Sequence, residues 1–263
     1  MGGPPAEGDD PGRVPSVPES GTGGSGRQDE THELLRRLGT AAVGGTDGTA
    51  DLAANLCRAC VDLMDISGAS VSLSGDGDAR ALWWSSDETA GRLAEAQYSL
   101  GDGPCRSAMD LMAPVLAADL ASPPDGGRWP VFAEEALALG VRAVFSLPLS
   151  PGGVVAMGTL DLYRRSPGAL SDRDRALAFP AADAITEAFL LLDRLPGQEQ
   201  GQWMDAAEND REEVHQATGM LMVFLELDSR QALARLRAHA FARGLSVTEA
   251  ARDIIAGRET LRD

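Results

Sequence analysis

Lysine is missing from this 263-residue chain: all 23 basic side chains are arginine, set against 40 aspartates and glutamates, for a net charge of -17. A field of that sign repels bulk nucleic acid unless the charge is unevenly distributed. Histidine occurs only at His32, His215 and His239, too scattered for a Ser/His/Asp triad, and none falls in the middle of the chain, where haem or a metal would need it. Cysteine also occurs three times, at Cys57, Cys60 and Cys105. An odd count without an export signal argues against a disulfide framework and for reduced thiols. No run approaches the roughly 20 apolar residues that span a bilayer, and the first thirty residues lack the apolar core of a secretory signal. The chain therefore reads as cytoplasmic, with no membrane partner. The glycine-rich loop Gly101-Asp102-Gly103-Pro104 lacks the Lys and Ser/Thr of a phosphate-binding P-loop. No paired carboxylates stand out either, so the sequence supports no enzymatic function.

Charge is distributed by segment. Residues 46–195 hold 21 acidic and 11 basic side chains, whereas residues 206–263 hold 10 and 8 and are nearly balanced. Residues 1–45 are rich in Gly, Pro, Ser and acidic residues, too poor in apolar side chains to order, and are expected to be a disordered tail. Residues 196–205 read as a linker.

Between them the periodicity predicts a helix carrying Leu52, Leu56, Cys60 and Met64, then a hairpin of residues 69–73 and 79–84. Ser85 and Glu88 are spaced as a capping box for a helix bearing Leu93 and Ala96. A short helical run after Cys105, a strand at 114–117, a helix at 129–138, strands at 142–149 and 154–163 and a closing helix at 172–195 follow. Strand pairs interrupted by helices, without regular βαβ alternation, indicate an α+β domain with an antiparallel sheet. The closing helix has two apolar stripes, one through Leu177, Ala181, Ala184 and Ala188, the other through Ala178, Ala182, Ile185 and Phe189. One can cover the sheet while the other meets a second copy, giving a parallel homodimer; the alternative is a helix buried on both faces within one protomer. Pro180 should kink or restart it. Residues 206–225, 229–242 and 246–256 read as three helices, with cap pairs Asp228/Gln231 and Ser246/Glu249, and Gly244 as a stop.

Residues 214–256 resemble an ANTAR domain, through Gln216, Ala217, Gly219, Leu221 and Met222 and then Ala232, Leu236, Arg237 and Ala240. Thr218 stands where the family usually has lysine. The resemblance implies a dimeric antiterminator that binds paired RNA stem-loops. Arg235, Arg237, His239, Arg243 and Arg252 read as one face of the last two helices that, with Gln216 and Thr218 of the matched element, contacts RNA; the alternative is a solvated, salt-bridged surface. The aromatics of this segment, Phe224 and Phe241, are expected in its core, which excludes base platforms of the RRM or OB kind. The upstream unit resembles a GAF domain through Gln97, Leu100-Gly101-Asp102-Gly103-Pro104-Cys105, Asp119-Leu120, Trp129-Pro130, Gly140-Val141-Arg142 and Leu147-Pro148-Leu149. This implies a pocket for a small-molecule effector of unknown identity and signalling through the closing helix; no metal or haem is expected.

Cys105 follows Gly-Pro at a helix start, where the dipole favours a thiolate. With Asp102 and Trp129 it forms the candidate ligand or redox site, and a packing role for its sulfur is the simpler reading. Cys57 and Cys60 form a C-x-x-C within an amphipathic helix, with no second pair to complete a zinc site, and are expected to be core residues. Alternatives to RNA binding are a sensor acting through protein contacts, a helix-turn-helix DNA binder and a Cys105 thiol sensor. A DNA reader would carry a basic recognition helix, whereas the last helix here sets Glu249 and Asp253 against Arg252.

Overall fold

The computed structural model describes residues 36, 40, 49–74, 80–194 and 202–259. Nearly all of the expected N-terminal tail, and residues 196–201 of the expected linker, lie outside the described residues.

The first unit begins with α1 (Thr49–Leu63), followed by β1 (Gly68–Ser74), β2 (Arg80–Ser85), α2 (Glu88–Leu100), α3 (Pro104–Leu111), β3 (Val115–Ala117), α4 (Asp125–Arg128), α5 (Pro130–Ala138), β4 (Ala143–Leu149), β5 (Gly158–Arg164) and α6 (Asp172–Arg194). The strands form one sheet in the order β2-β1-β5-β4-β3, antiparallel at every pairing. Because side chains alternate across a strand, β4 and β5 divide their residues between two faces. Phe145, Leu147, Leu160 and Leu162 point to the side covered by α1 and α6, where they are fully buried with Cys57, Cys60 and Ile185. Each such side chain contributes about 1.5–3 kcal/mol by leaving water. On the other face Val144 and Tyr163 pack with Leu93 of α2, Ala108 of α3 and Phe132 of α5.

Several expectations shift. The N-cap of α2 is Asp87, not Ser85: its Oδ1 accepts from the Ala90 amide at 3.0 Å while Ser86 Oγ donates to Oδ2 at 2.6 Å. The last strand starts at Gly158 and not at 154, because Pro151–Gly153 form a 3-10 turn with Gly152 at φ 61° and the exposed Val154 and Val155 lie outside the sheet. Helix α6 runs through Pro180 without a restart. Both of its stripes are buried within one protomer as far as Phe189, since α1 packs beside it and the sheet lies beneath; Phe189 makes an edge contact with Trp83 at 4.7 Å. Residues 177–189 therefore leave no second stripe free for a dimer.

The second unit is α7 (Gln202–Leu225), α8 (Ser229–Arg243) and α9 (Val247–Ile255). Helix α7 starts four residues before the expected 206 and lies against the edge strand β2. Both expected capping boxes form: Asp228 accepts from the Gln231 amide at 2.8 Å and Ser246 from the Glu249 amide at 3.1 Å, each answered by the downstream side chain. Gly244 ends α8 at φ 64°. Val214, Leu221, Leu236, Val247 and Ile254 fill the core of this unit.

Candidate functional site

On the sheet face beneath α2 and α3, the residues alternating with the leucines of β5 are Thr159 and Asp161. Ser70 and Ser146 stand opposite Asp161 on the two neighbouring strands, and Ser72 stands opposite Thr159. All five are buried. The Asp161 carboxylate accepts from Ser146 Oγ and, at 3.0 Å, from Thr159 Oγ1. A buried carboxylate persists only where such bonds replace water. The row thus keeps polar a surface that the opposite face shows can be wholly apolar.

The α2–α3 turn closes over this face. Gln97, 2% exposed, accepts the Cys105 amide on Oε1 at 2.8 Å, and its Nε2 is buried without a hydrogen-bond partner among the described residues. Gly103 has φ 139° and ψ 177°, a region open essentially to glycine alone, and a Cβ there would lie 2.8 Å from Gln97. Asp102 is exposed and caps the turn through the Gly103 amide at 2.9 Å. Trp129 is buried and donates from Nε1 to Ser107 Oγ of α3 at 3.0 Å, with Arg128 stacked 4.3 Å from its ring. Cys105 therefore lies in α3 and Trp129 is bonded to it, whereas Asp102 points to solvent. Beside the site, Tyr163 donates to Asp87 at 3.0 Å, and burial together with that bond raises its pKa. Asp119 and Arg142, from two separate motifs, meet at 2.9 Å, and the Arg142 hydrogen bond holds the Asp119 carboxyl below its ordinary value.

None of the three cysteines is in a disulfide, and all are buried. Burial pushes Cys60 up to about 12 and, with the neighbouring Cys60 charge, raises Cys57 well above its ordinary value. In the native protein a soluble thiol reagent should therefore modify all three cysteines far more slowly than an exposed thiol, and unfolding should release three. A fast-reacting native thiol, mapped to Cys105 by peptide analysis, would restore the redox reading.

The seven residues expected to contact RNA do not share one face. Thr218 is 7% exposed and donates its hydroxyl to the Val214 carbonyl at 2.7 Å, so it packs inside the helical unit and is removed from the contact set. Successive helical residues turn by about 100°, which sends Arg237 to one flank of α8 and Arg235 with His239 to the other, astride the buried Leu236 and Ala240. Arg237 lies over the Tyr98 ring of α2 at 5.4 Å. Gln216, Arg235, Arg243 and Arg252 are exposed. Arg243 pairs with Glu259 and Arg252 with Glu213 at 2.6 Å. His239 Nε2 is 2.9 Å from Glu259, yet burial and then Arg243 dominate and lower its pKa. Phe224 and Phe241, expected in the core, are both exposed, because Leu221, Leu225, Leu236 and Ala240 take the inward positions.

The antiparallel sheet, the helical layer on each face and the polar row under the α2–α3 turn define a sensory domain. Residues 46–189 match the GAF domain family, and the chain belongs to it. The three-helix unit is an ANTAR domain, matched over residues 204–255, so the protein joins a GAF sensor to an ANTAR output in the manner of a signal-gated ANTAR regulator. Among solved structures, the GAF domain of a phosphoenolpyruvate-protein phosphotransferase from Coxiella burnetii is similar over 62% of this chain and 94% of its own, at 13% identity and TM-score 0.48. A free methionine-R-sulfoxide reductase from Neisseria meningitidis, solved with its substrate, is similar over 62% of this chain and 90% of its own, at 16% identity and TM-score 0.45. No curated protein matches the chain. GAF and ANTAR domains are regulatory and generally not enzymatic. Among the described residues no helix is long and apolar enough to cross a membrane, and no group of three or more His, Cys, Asp or Glu is placed to hold a metal ion.

Proposed function

We propose that the protein is a transcription antitermination regulator that binds RNA stem-loops through its ANTAR domain, as a homodimer, under control of a small polar effector bound at the GAF sheet face. The observation that carries the reading is the ANTAR match over residues 204–255, within which Gln216, Arg235, Arg243 and Arg252 remain exposed on an otherwise acidic protein. Arginine suits the task, since its planar fork pairs with phosphate oxygens and base edges. The near balance of charge in this segment adds little to the repulsion that the rest of the chain imposes. The buried row around Asp161 and the side-chain amide of Gln97 supply both acceptors and donors, which favours an effector with hydrogen-bonding groups of both kinds.

The test is binding of the full chain to RNA hairpin pairs and to duplex DNA of matched sequence over a salt series. The wild type should prefer the RNA. Arg235→Ala combined with Arg252→Ala should weaken that binding at least tenfold and reduce the slope of log K against log salt by about 1.5, the loss of two phosphate contacts. Equal affinity for both nucleic acids at every salt concentration would move the protein to a regulator that acts through protein contacts.

A further inference from the structure

The ANTAR domain is docked on the GAF domain through α2 and through the edge strand β2, along which α7 lies. Tyr98 of α2 is buried in the core of the ANTAR domain, with Val214 and Leu236, and the Arg237 guanidinium lies over its ring. One turn earlier, Glu95 accepts the amide of Val247, the first residue of α9, at 3.4 Å. Gly101, which ends α2 at φ 64°, approaches so closely that a Cβ there would lie 2.9 Å from Arg237 Nη1. Phe241, one turn along α8 from Arg237, lines a cavity of about 280 Å³ between the domains, together with Arg92, Glu95 and Leu100. A cation and an aromatic ring, the side chains that pair with and stack on unpaired nucleotides, are thus both turned toward the GAF domain.

The same turn of α2 also faces the sensory site. Gln97, adjacent to Tyr98, holds the Cys105 amide at the head of α3, and α3 packs on β4 and β5, which carry Ser146 and Asp161. Neighbouring residues of one helix therefore grip the cover of the polar row on one side and the ANTAR domain on the other. From this we infer that docking on α2 withholds the Arg237–Phe241 flank from RNA, leaving the docked chain only the opposite face that carries Arg235 and Arg252, and that α2 passes effector occupancy to the ANTAR domain. The inference rests on the RNA reading above. Occupancy can shift the equilibrium only by its differential affinity for the docked and released arrangements.

Tyr98→Ala removes the seat of Arg237, and Glu95→Ala removes the α9 contact while leaving the ANTAR core intact. RNA affinity of the full chain is measured for both variants and the wild type, alongside solution scattering and the hydrogen exchange of the Val247 amide. Each variant should bind RNA about tenfold more tightly than wild type, as expected when a docked state favoured by about ten to one is released. The Val247 amide should exchange faster in the variants, and faster in the wild type when RNA is added. Glu95→Ala keeps the test valid if Tyr98→Ala fails to fold. RNA bound equally by all three proteins, with Val247 deprotected in the variants, overturns the withholding of that flank and leaves the RNA reading standing. No RNA binding by any of them, released variants included, overturns both.

Discussion

Ser146→Ala combined with Thr159→Val should lower the unfolding free energy by about 3 kcal/mol, because each change removes a hydroxyl bonded to the buried Asp161 carboxylate. Adding Asp161→Val to the pair should recover most of that loss, since a small β-branched apolar group suits a strand and needs no partners there. Urea titration of the three proteins measures both effects. The recovered triple variant has a second use, because it should fold yet no longer respond to a polar effector in RNA binding. If the double variant is as stable as wild type, the two hydroxyls are not what sustains the buried carboxylate.

Gly103→Ala should cost about 3 kcal/mol or more. Its backbone lies in a region closed to other residues, worth about 1–3 kcal/mol in strain, and the new methyl group would overlap Gln97, a fault of overpacking that adds about 1–3 kcal/mol. Gly152→Ala is the control: it also has positive φ, at 61°, but nothing lies within 4 Å of its Cβ position, so it should cost only about 1–2 kcal/mol. Equal losses at the two positions would show that backbone strain alone, and not the lock between Gln97 and the α2–α3 turn, accounts for the Gly103 effect.

Much of the fold was legible because it is written in local pattern. The every-fourth-residue spacing of Leu52, Leu56 and Cys60 marks α1, and Asp228 with Gln231 and Ser246 with Glu249 mark the starts of α8 and α9, since capping chemistry involves only residues three apart. Burial of Cys57 and Cys60 was legible for the same reason. Boundaries decided by backbone conformation were not: the true cap at Asp87 and the late start of β5 depend on how the chain turns, and several nearby residues satisfy the same pattern. The candidate site was legible only in fragments. Cys105 and Trp129 were singled out, but the polar row was missed, although an aspartate between Leu160 and Leu162 is itself a signal in a strand so apolar.

By itself the sequence determined the two-part organisation, the class of each part and the arginine-rich, acid-balanced character of the output domain, all of which depend on composition, short-range periodicity and motif spacing. Tertiary structure alone decided which side chains meet. It gathered Ser70, Ser146 and Asp161 from three strands through sheet register. It buried both stripes of α6 in one protomer, withdrew Thr218 into the helical core and laid Arg237 on Tyr98, which is 139 residues away in the chain. Contacts at such separation are fixed by the packing of whole elements, and no local pattern of residues records them.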